Sequence, residues 1–475
     1  MRGLRGPRRP RAAAVALAGV LALGLGVAGC DADQQEPLPA PPTQPSTPAQ
    51  PTDLTFGVWG AEAEVAAYQA MVDDYNTDSV ASEITLQSWP THDAFLVAMR
   101  EGDLPDVYLI SRSDLAAVQA AGLNQPVLEL LDERGVDYTD DYAREALLAF
   151  SADNELQCMP YGISPMVIYY NTELINFERM LVRGLPAPED QPDTPEDESH
   201  DSWTFEQFTA AAEFATRPRR GSAGVYIEPT LRGLAPFVYS GGGDLFDDDD
   251  APTSLALSED SSQEALSRTL ELLRNASVTL SDERLAKASP MEWFERGKLG
   301  MIAGFRSLTP ELREVEGLSF DVMPMPALDR AATIGDITGL CVSSKAPSIA
   351  QAADFLVHAI SAEPVARVAR AGYLAPASLP VAVSEDFLQP ALQPAHAGVF
   401  SASIRDMVVP PLLDDYTALE AAVADSLRLM LSVTVPDLEA ITTQIDEQSR
   451  TVLDPELASP SPSEGASETA SGDAE

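Results

Sequence analysis

The hydrophobic pattern of residues 54–121 alternates between two periods. Leu54-Thr55-Phe56-Gly57-Val58-Trp59-Gly60 reads as a strand closed by glycine, and Ala61 to Tyr75 then sets Val65, Tyr68, Met71 and Val72 at helical spacing. Ile84 to Trp89 alternates as a half-buried strand does, and His92 to Arg100 returns to the helical period. Asp106 to Ile110 carries an apolar run suited to a strand buried on both faces, and Leu115 to Ala121 is a helix that stops at Gly122. This order predicts a largely parallel sheet covered by helices. Ligands on such sheets lie beyond the carboxyl ends of the strands, which singles out Trp59-Gly60 and Ser111 to Asp114.

The theme repeats downstream. Met166 to Tyr170 reads as a strand running into Asn171, and Met301 to Gly304 and Leu318 to Met323 as two more. Helices are expected over 203–215, 265–274, 291–296, 349–361, 419–431 and 438–452, with apolar stripes that are ordinary core faces. Residues 184–202, rich in proline and acids, read as a surface insertion, and Asp247 to Asp250 as an acidic loop. Residues 31–53 are a Pro-rich tether, and 457–475 an acidic tail without a core. About 400 residues remain, too many for one core, so two lobes are expected.

Charge narrows the partners. The formal charge is −44, and an acidic surface of this kind excludes nucleic acid and anionic lipid as targets of a basic face. His92, His200, His358 and His396 show no metal-ligand spacing. Asp247 to Asp250 lacks the spaced calcium-loop pattern and reads as a solvated charge run. Neither a Gly-x-Ser-x-Gly elbow nor a phosphate loop is present, and acids are too abundant for any pair of them to carry weight. The expectation is no catalytic residue, no cofactor and no metal site.

The amino terminus addresses the chain. Five arginines within residues 1–12 precede a short run of Ala, Val, Leu and Gly, the form of an export signal. It ends in Val27-Ala28-Gly29-Cys30, which resembles a lipobox, the site where diacylglycerol is joined to the cysteine before cleavage. The resemblance implies two acyl chains on Cys30, which would give stable attachment to the extracytoplasmic face of the membrane; the alternative is an ordinary transmembrane anchor that ends in Cys. Cleavage removes the five arginines and takes the formal charge from −44 to −49. Cys158 and Cys341 are then the remaining cysteines, either a disulfide or two separate buried thiols.

Local motifs, in order, resemble one family. They are Leu104-Pro105-Asp106-Val107, Ala121-Gly122-Leu123, Gln157-Cys158-Met159-Pro160-Tyr161-Gly162, Val167-Ile168-Tyr169-Tyr170-Asn171, and Trp203-Thr204-Phe205-Glu206 with Thr204 as a helix cap. Gly241-Gly242-Gly243-Asp244, Phe294-Glu295-Arg296-Gly297-Lys298-Leu299-Gly300-Met301, Phe320 to Pro326 and Gly339 to Ser344 follow. Over residues 54–452 the chain resembles the bacterial extracellular solute-binding proteins of the maltose-binding type. It departs from them in the long 184–202 insertion and in Phe305, where relatives often carry Trp.

The resemblance implies a two-lobed α/β periplasmic-binding-protein fold (type II), each lobe a mainly parallel sheet flanked by helices, with hinge crossings between them. Lobe 1 would be 54–162 with 338–388, and lobe 2 would be 163–337 with 389–456. It implies a monomeric lipoprotein that delivers a sugar or oligosaccharide to the permease subunits of an ABC transporter. Another polar solute such as a polyol phosphate is the alternative, and a secreted carbohydrate-active enzyme the alternative of another class. Sugar sites combine hydrogen-bonding groups with aromatic rings. The expected ligand contacts are Trp59, Ser113, Asp114, Ser164, Tyr239, Gly242, Phe305, Arg306 and Tyr373, with Trp203 in the packing of lobe 2. Cys158 and Cys341 both fall in segments resembling the crossings, which implies that they lie close together.

Overall fold

The computed structural model describes residues 51–189, 200–413, 415–432 and 437–455. The export segment, Cys30, residues 190–199 of the insertion and the tail lie outside the described residues.

Twelve strands lie among the described residues. They are β1 Thr52–Trp59, β2 Ser82–Trp89, β3 Val107–Ser111, β4 Asn124–Gln125, the short pair β5 Ser151–Ala152 and β6 Glu155–Leu156, and β7 Met159–Pro165. Beyond the first crossing come β8 Val167–Asn171, β9 Ala223–Tyr226, β10 Leu299–Gly304, β11 Phe320–Pro324 and β12 Gly335–Ser343. The first sheet has the order β2-β1-β3-β12-β4 with β7 joined to β12, and the second the order β11-β8-β10-β9.

Local chemistry explains the elements that border the site. Val107 to Ile110 are buried on both faces, as a central strand flanked by helices requires. The helix His92–Glu101 starts where Thr91 Oγ1 accepts from Ala94 N at 3.2 Å, and it ends at Gly102, whose φ of 92° is left-handed. Thr204 caps the helix Phe205–Ala215 in a reciprocal box with Gln207. Trp203 is buried beside Phe208 and donates Nε1 to Pro324 O at 2.8 Å.

Both sheets are mixed, which corrects the expectation of mainly parallel ones. β1 is parallel to β2 and β3, but β12 is antiparallel to β3, β4 and β7. In the second sheet β9 and β10 are parallel, while β8 is antiparallel to β10 and β11. The reason is topological. β8 and β12 each arrive from the other lobe, so they enter their sheets from the side opposite to the local β-α-β strands.

The crossings run side by side. Met166 N donates to Ile334 O at 2.8 Å, Thr333 Oγ1 to Met166 O at 2.7 Å, and Thr333 N to Asp406 O at 2.9 Å. The lobe borders expected at 162/163 and 337/338 fall inside the β7–β12 ladder, at the pair Gly162–Thr338, and the register shifts immediately after Thr338. Cys158, just before β7, and Cys341 in β12 are joined by a disulfide with their Cα atoms 4.4 Å apart.

Candidate functional site

Parallel strands bring their carboxyl ends to one edge, and three of them meet there. β1 and β2 are in register to Trp59 and Trp89, and β3 ends at Ser111. The Trp59 ring lies 4.9 Å from the His92 ring, and its Nε1 is buried without a hydrogen-bond partner. His92 Nε2 meets Asp114 Oδ2 at 2.7 Å, and Asp114 also accepts from Ser111 N at 3.2 Å, closing a capping box. Burial lowers the His92 pKa, but the Asp114 hydrogen bond and charge, with Asp93 and Asp336, outweigh it and leave the pKa raised.

Across the gap stand the helices Leu231–Ser240 and Tyr416–Ser432. Ser111, Arg112 and Ser113 line one wall of the groove, Arg232, Tyr239 and Tyr416 the other, and Asp336 at the start of β12 lies between them. Arg232 reaches Asp336 Oδ1 at 3.7 Å, and its guanidinium lies 4.7 Å from the Phe305 ring centroid. Burial brings the Arg112 guanidinium down to about 10, and its Nε is buried without a partner. Burial, then the charge of Asp336, pushes the Glu64 carboxyl up to about 7. The groove thus holds aromatic faces, two arginines and the Asp336 carboxylate, an arrangement that can bind a polyhydroxylated solute.

The expected contacts divide. Ser113 and Tyr239 line the groove, Phe305 adjoins it through Arg232, and Trp59 ends β1 beside His92. Tyr373 is half-buried, and Glu64 is among the acids that act on its phenol after burial, Glu311 and Glu314. Four residues are not brought to the groove wall. Asp114 is 9% exposed and occupied by His92 and the Ser111 amide, so it positions His92. Ser164 is buried in β7, where its Oγ accepts from Arg306 N at 2.8 Å. Gly242 is an exposed glycine with φ of 83° in the turn after Leu231–Ser240. Arg306 is 0% exposed. Its Nε and Nη2 donate to the carbonyls of Gly372 and Phe387 at 3.1 and 3.2 Å, between the rings of Phe387 and Phe400. It is a buried strut in the short 3-10 turn Arg306–Leu308 that follows β10.

Sequence reading passed over His92, Glu64, Arg232 and Asp336. His92 follows the end of β2 and could have been found by the same strand-end argument that found Trp59. Asp336 sits in Gly335-Asp336-Ile337, where the chain re-enters the first sheet. The histidines too are not all scattered: His200, Asp321 and His396 converge although they are far apart in the chain.

The family model of bacterial extracellular solute-binding proteins matches residues 66–394. Among curated proteins no sequence matches. Solved structures share the fold. An ABC substrate-binding protein of Listeria monocytogenes in complex with cycloalternan is 18% identical, with a TM-score of 0.70 over 85% of this chain and 99% of that one. The GacH receptor of Streptomyces glaucescens, solved unliganded and with acarbose, is 18% identical with a TM-score of 0.66 over 85% and 98%. The cyclic α-maltosyl-1,6-maltose binding protein of Arthrobacter globiformis is 18% identical with a TM-score of 0.67 over 85% and 100%.

Proposed function

The chain belongs to the bacterial extracellular solute-binding proteins, and from that membership we infer that it captures a sugar or oligosaccharide between two lobes for an ABC importer. The observation that carries this reading is the groove itself, where Tyr239 and Tyr416 share a wall with Arg232 and face Ser111, Arg112, Ser113 and Asp336. Rings cover the apolar C–H face of a sugar, while the polar groups meet its hydroxyls. Of the three solved structures named above, one is in complex with cycloalternan, one was solved with acarbose and one is a cyclic α-maltosyl-1,6-maltose binding protein, which supports a carbohydrate here.

The closing bodies in this reading are residues 54–162 with 338–388 and 163–337 with 389–456, rotating about the three crossings. Trp59, Ser113, Tyr239, Phe305 and Tyr373 serve the ligand, joined by Glu64, Asp336 and Arg232. Asp114 acts through His92. The acylated Cys30 holds the protein, as a monomer, at the extracytoplasmic face near its permease subunits. Binding needs no cofactor and leaves the solute chemically unchanged.

A polyol phosphate is the second reading, favoured by the partnerless Nε of Arg112 beside Arg232. A thermal-shift screen of sugars, oligosaccharides and polyol phosphates decides between them. A ligand at about 100 times its Kd stabilises the fold by roughly 2.7 kcal/mol. Stabilisation by a neutral saccharide, recovered intact, is expected. Stabilisation confined to phosphorylated or non-carbohydrate solutes would overturn the sugar reading.

A further inference from the structure

We propose that His200, Asp321 and His396 form a binding site for a divalent transition-metal ion of the zinc class, on the edge strand of the second sheet. The three side chains come from β11, from the turn before Trp203 and from the turn before the helix Gly398–Ser403, and one ligand atom from each lies within 4.8 Å of the others. Asp321 Oδ2 is 2.6 Å from His396 Nδ1 and 4.0 Å from His200 Nε2. Tyr170 Oη lies 2.8 Å from that same His200 nitrogen.

Imidazole nitrogens and a carboxylate oxygen are the donor set that zinc takes, with three protein ligands and a fourth position for water or another oxygen. At metal–ligand distances of about 2.0–2.1 Å, tetrahedral donors stand roughly 3.3–3.4 Å apart. The separations of 2.6 and 4.0 Å bracket that value, so each pair needs an adjustment below about 1 Å. The carboxylate is already oriented for the task. Its Oδ1 accepts from the backbone amides of Val322 and His396 at 3.0 and 3.1 Å, which turns Oδ2 toward the imidazoles.

Two rearrangements are required. The Tyr170 hydroxyl gives up its contact with the His200 nitrogen that takes the ion. The two imidazole rings are stacked 3.5 Å apart at 5°, and one ion cannot lie in both ring planes. His200 and Asp321 have side chains only 10% and 9% exposed, whereas the His396 side chain is 29% exposed on a turn. His396 is therefore the ligand that tilts out of the stack on binding.

The site is separate from the groove. Tyr170 pairs with Asp321 three residues along β8 from Val167, the end at the crossing. At about 3.3 Å per residue this is roughly 10 Å away from the crossing.

The test is titration of the chelator-stripped full chain with zinc chloride by calorimetry, alongside the visible spectrum of the cobalt(II)-loaded protein. A single site is expected, weakened tenfold or more in His396→Ala and in Asp321→Asn, and unchanged in His358→Gln. Because the surface is rich in carboxylates, equal zinc affinity in wild type and His396→Ala would overturn the proposal. The cobalt spectrum is read on wild type alone, so it stands even where a variant misfolds. Strong visible bands of four-coordinate cobalt support the site, and their absence overturns it.

Discussion

Asp114 holds His92 at 2.7 Å, and that contact sets the sign of a pH effect. The His92 pKa is raised against the opposing pull of burial, so the pairing stabilises the fold fully below the free value of about 6.5 and is lost as pH rises through the folded value. Asp114→Asn keeps the capping acceptor and removes the charge. Its deficit in urea midpoint relative to wild type is expected to be largest near pH 6 and to shrink by pH 9. A deficit that does not change with pH would contradict this. Glu64 has the opposite sign. Its carboxyl is pushed up to about 7, so the native state loses stability as pH climbs from about 4.5 through 7. Glu64→Gln is therefore expected to be more stable than wild type at pH 8, by on the order of 1–2 kcal/mol after allowing for solvent screening of a half-buried group. Urea denaturation at pH 5 and pH 8 checks it, since the gain is absent at pH 5. The same two neighbourhoods show how far single residues can be read. Topology placed Trp59 and Ser113 at strand ends, but it could not say which way a side chain turns. Asp114 turned to His92, and Arg306 folded inward between Phe387 and Phe400.

At the scale of elements, long periodic segments were legible and the groove wall was not. The expected helices over 419–431 and 438–452 are observed as Tyr416–Ser432 and Leu438–Leu453. The helix Leu231–Ser240, which supplies Arg232 and Tyr239, is not among the expected ones, and it carries Gly233 and Pro236, two residues that weaken a helical signal. Both have a place in it. Thr230 Oγ1 accepts from Gly233 N at 3.0 Å in the first turn, and a Cβ on Gly233 would overlap the Glu228 carbonyl oxygen. Close approach also explains Gly300, the glycine of the Gly-Met pair in the sequence motif. Its added Cβ would stand 2.6 Å from Ala215 Cβ and from Gly224 O. Gly224 in β9 is tighter still, because its Cβ would overlap the backbone carbonyl of Ala212 in the helix Phe205–Ala215. Gly224→Ala must push helix and strand apart and is expected to destabilise by about 1–3 kcal/mol. Gly122→Ala, with open space around it but a φ of 62°, is a milder control. Thermal or urea unfolding of the two variants checks the ranking, and equal losses would contradict it.

For the whole molecule, the two-lobed α/β plan was readable from the strand–helix order and the ordered motifs. The direction of β8 and β12 was not, because it depends on how the chain crosses between lobes. The disulfide clips the start of β7 to β12 across 183 residues of sequence. Constraining so long a loop in the unfolded chain is worth up to about 5 kcal/mol by chain entropy, and measured native bridges contribute about 2–5 kcal/mol. The Cys158→Ser, Cys341→Ser double variant is expected to lose a few kcal/mol of unfolding free energy in that range. Equal urea midpoints for the variant and the oxidised wild type would contradict the expectation.

The central claim is that the groove around Asp336 and Arg232 binds the solute. Both side chains are 38% exposed, so replacing them spares the core. The most direct measurement is calorimetric titration of wild type, Asp336→Asn and Arg232→Gln with the saccharide found by the screen. One molecule bound per chain is expected, with affinity falling roughly tenfold or more in each variant, about 1.4 kcal/mol or above, while the melting temperatures of the free proteins barely change. Saccharide binding of equal strength in wild type and both variants would place the ligand elsewhere and contradict the account.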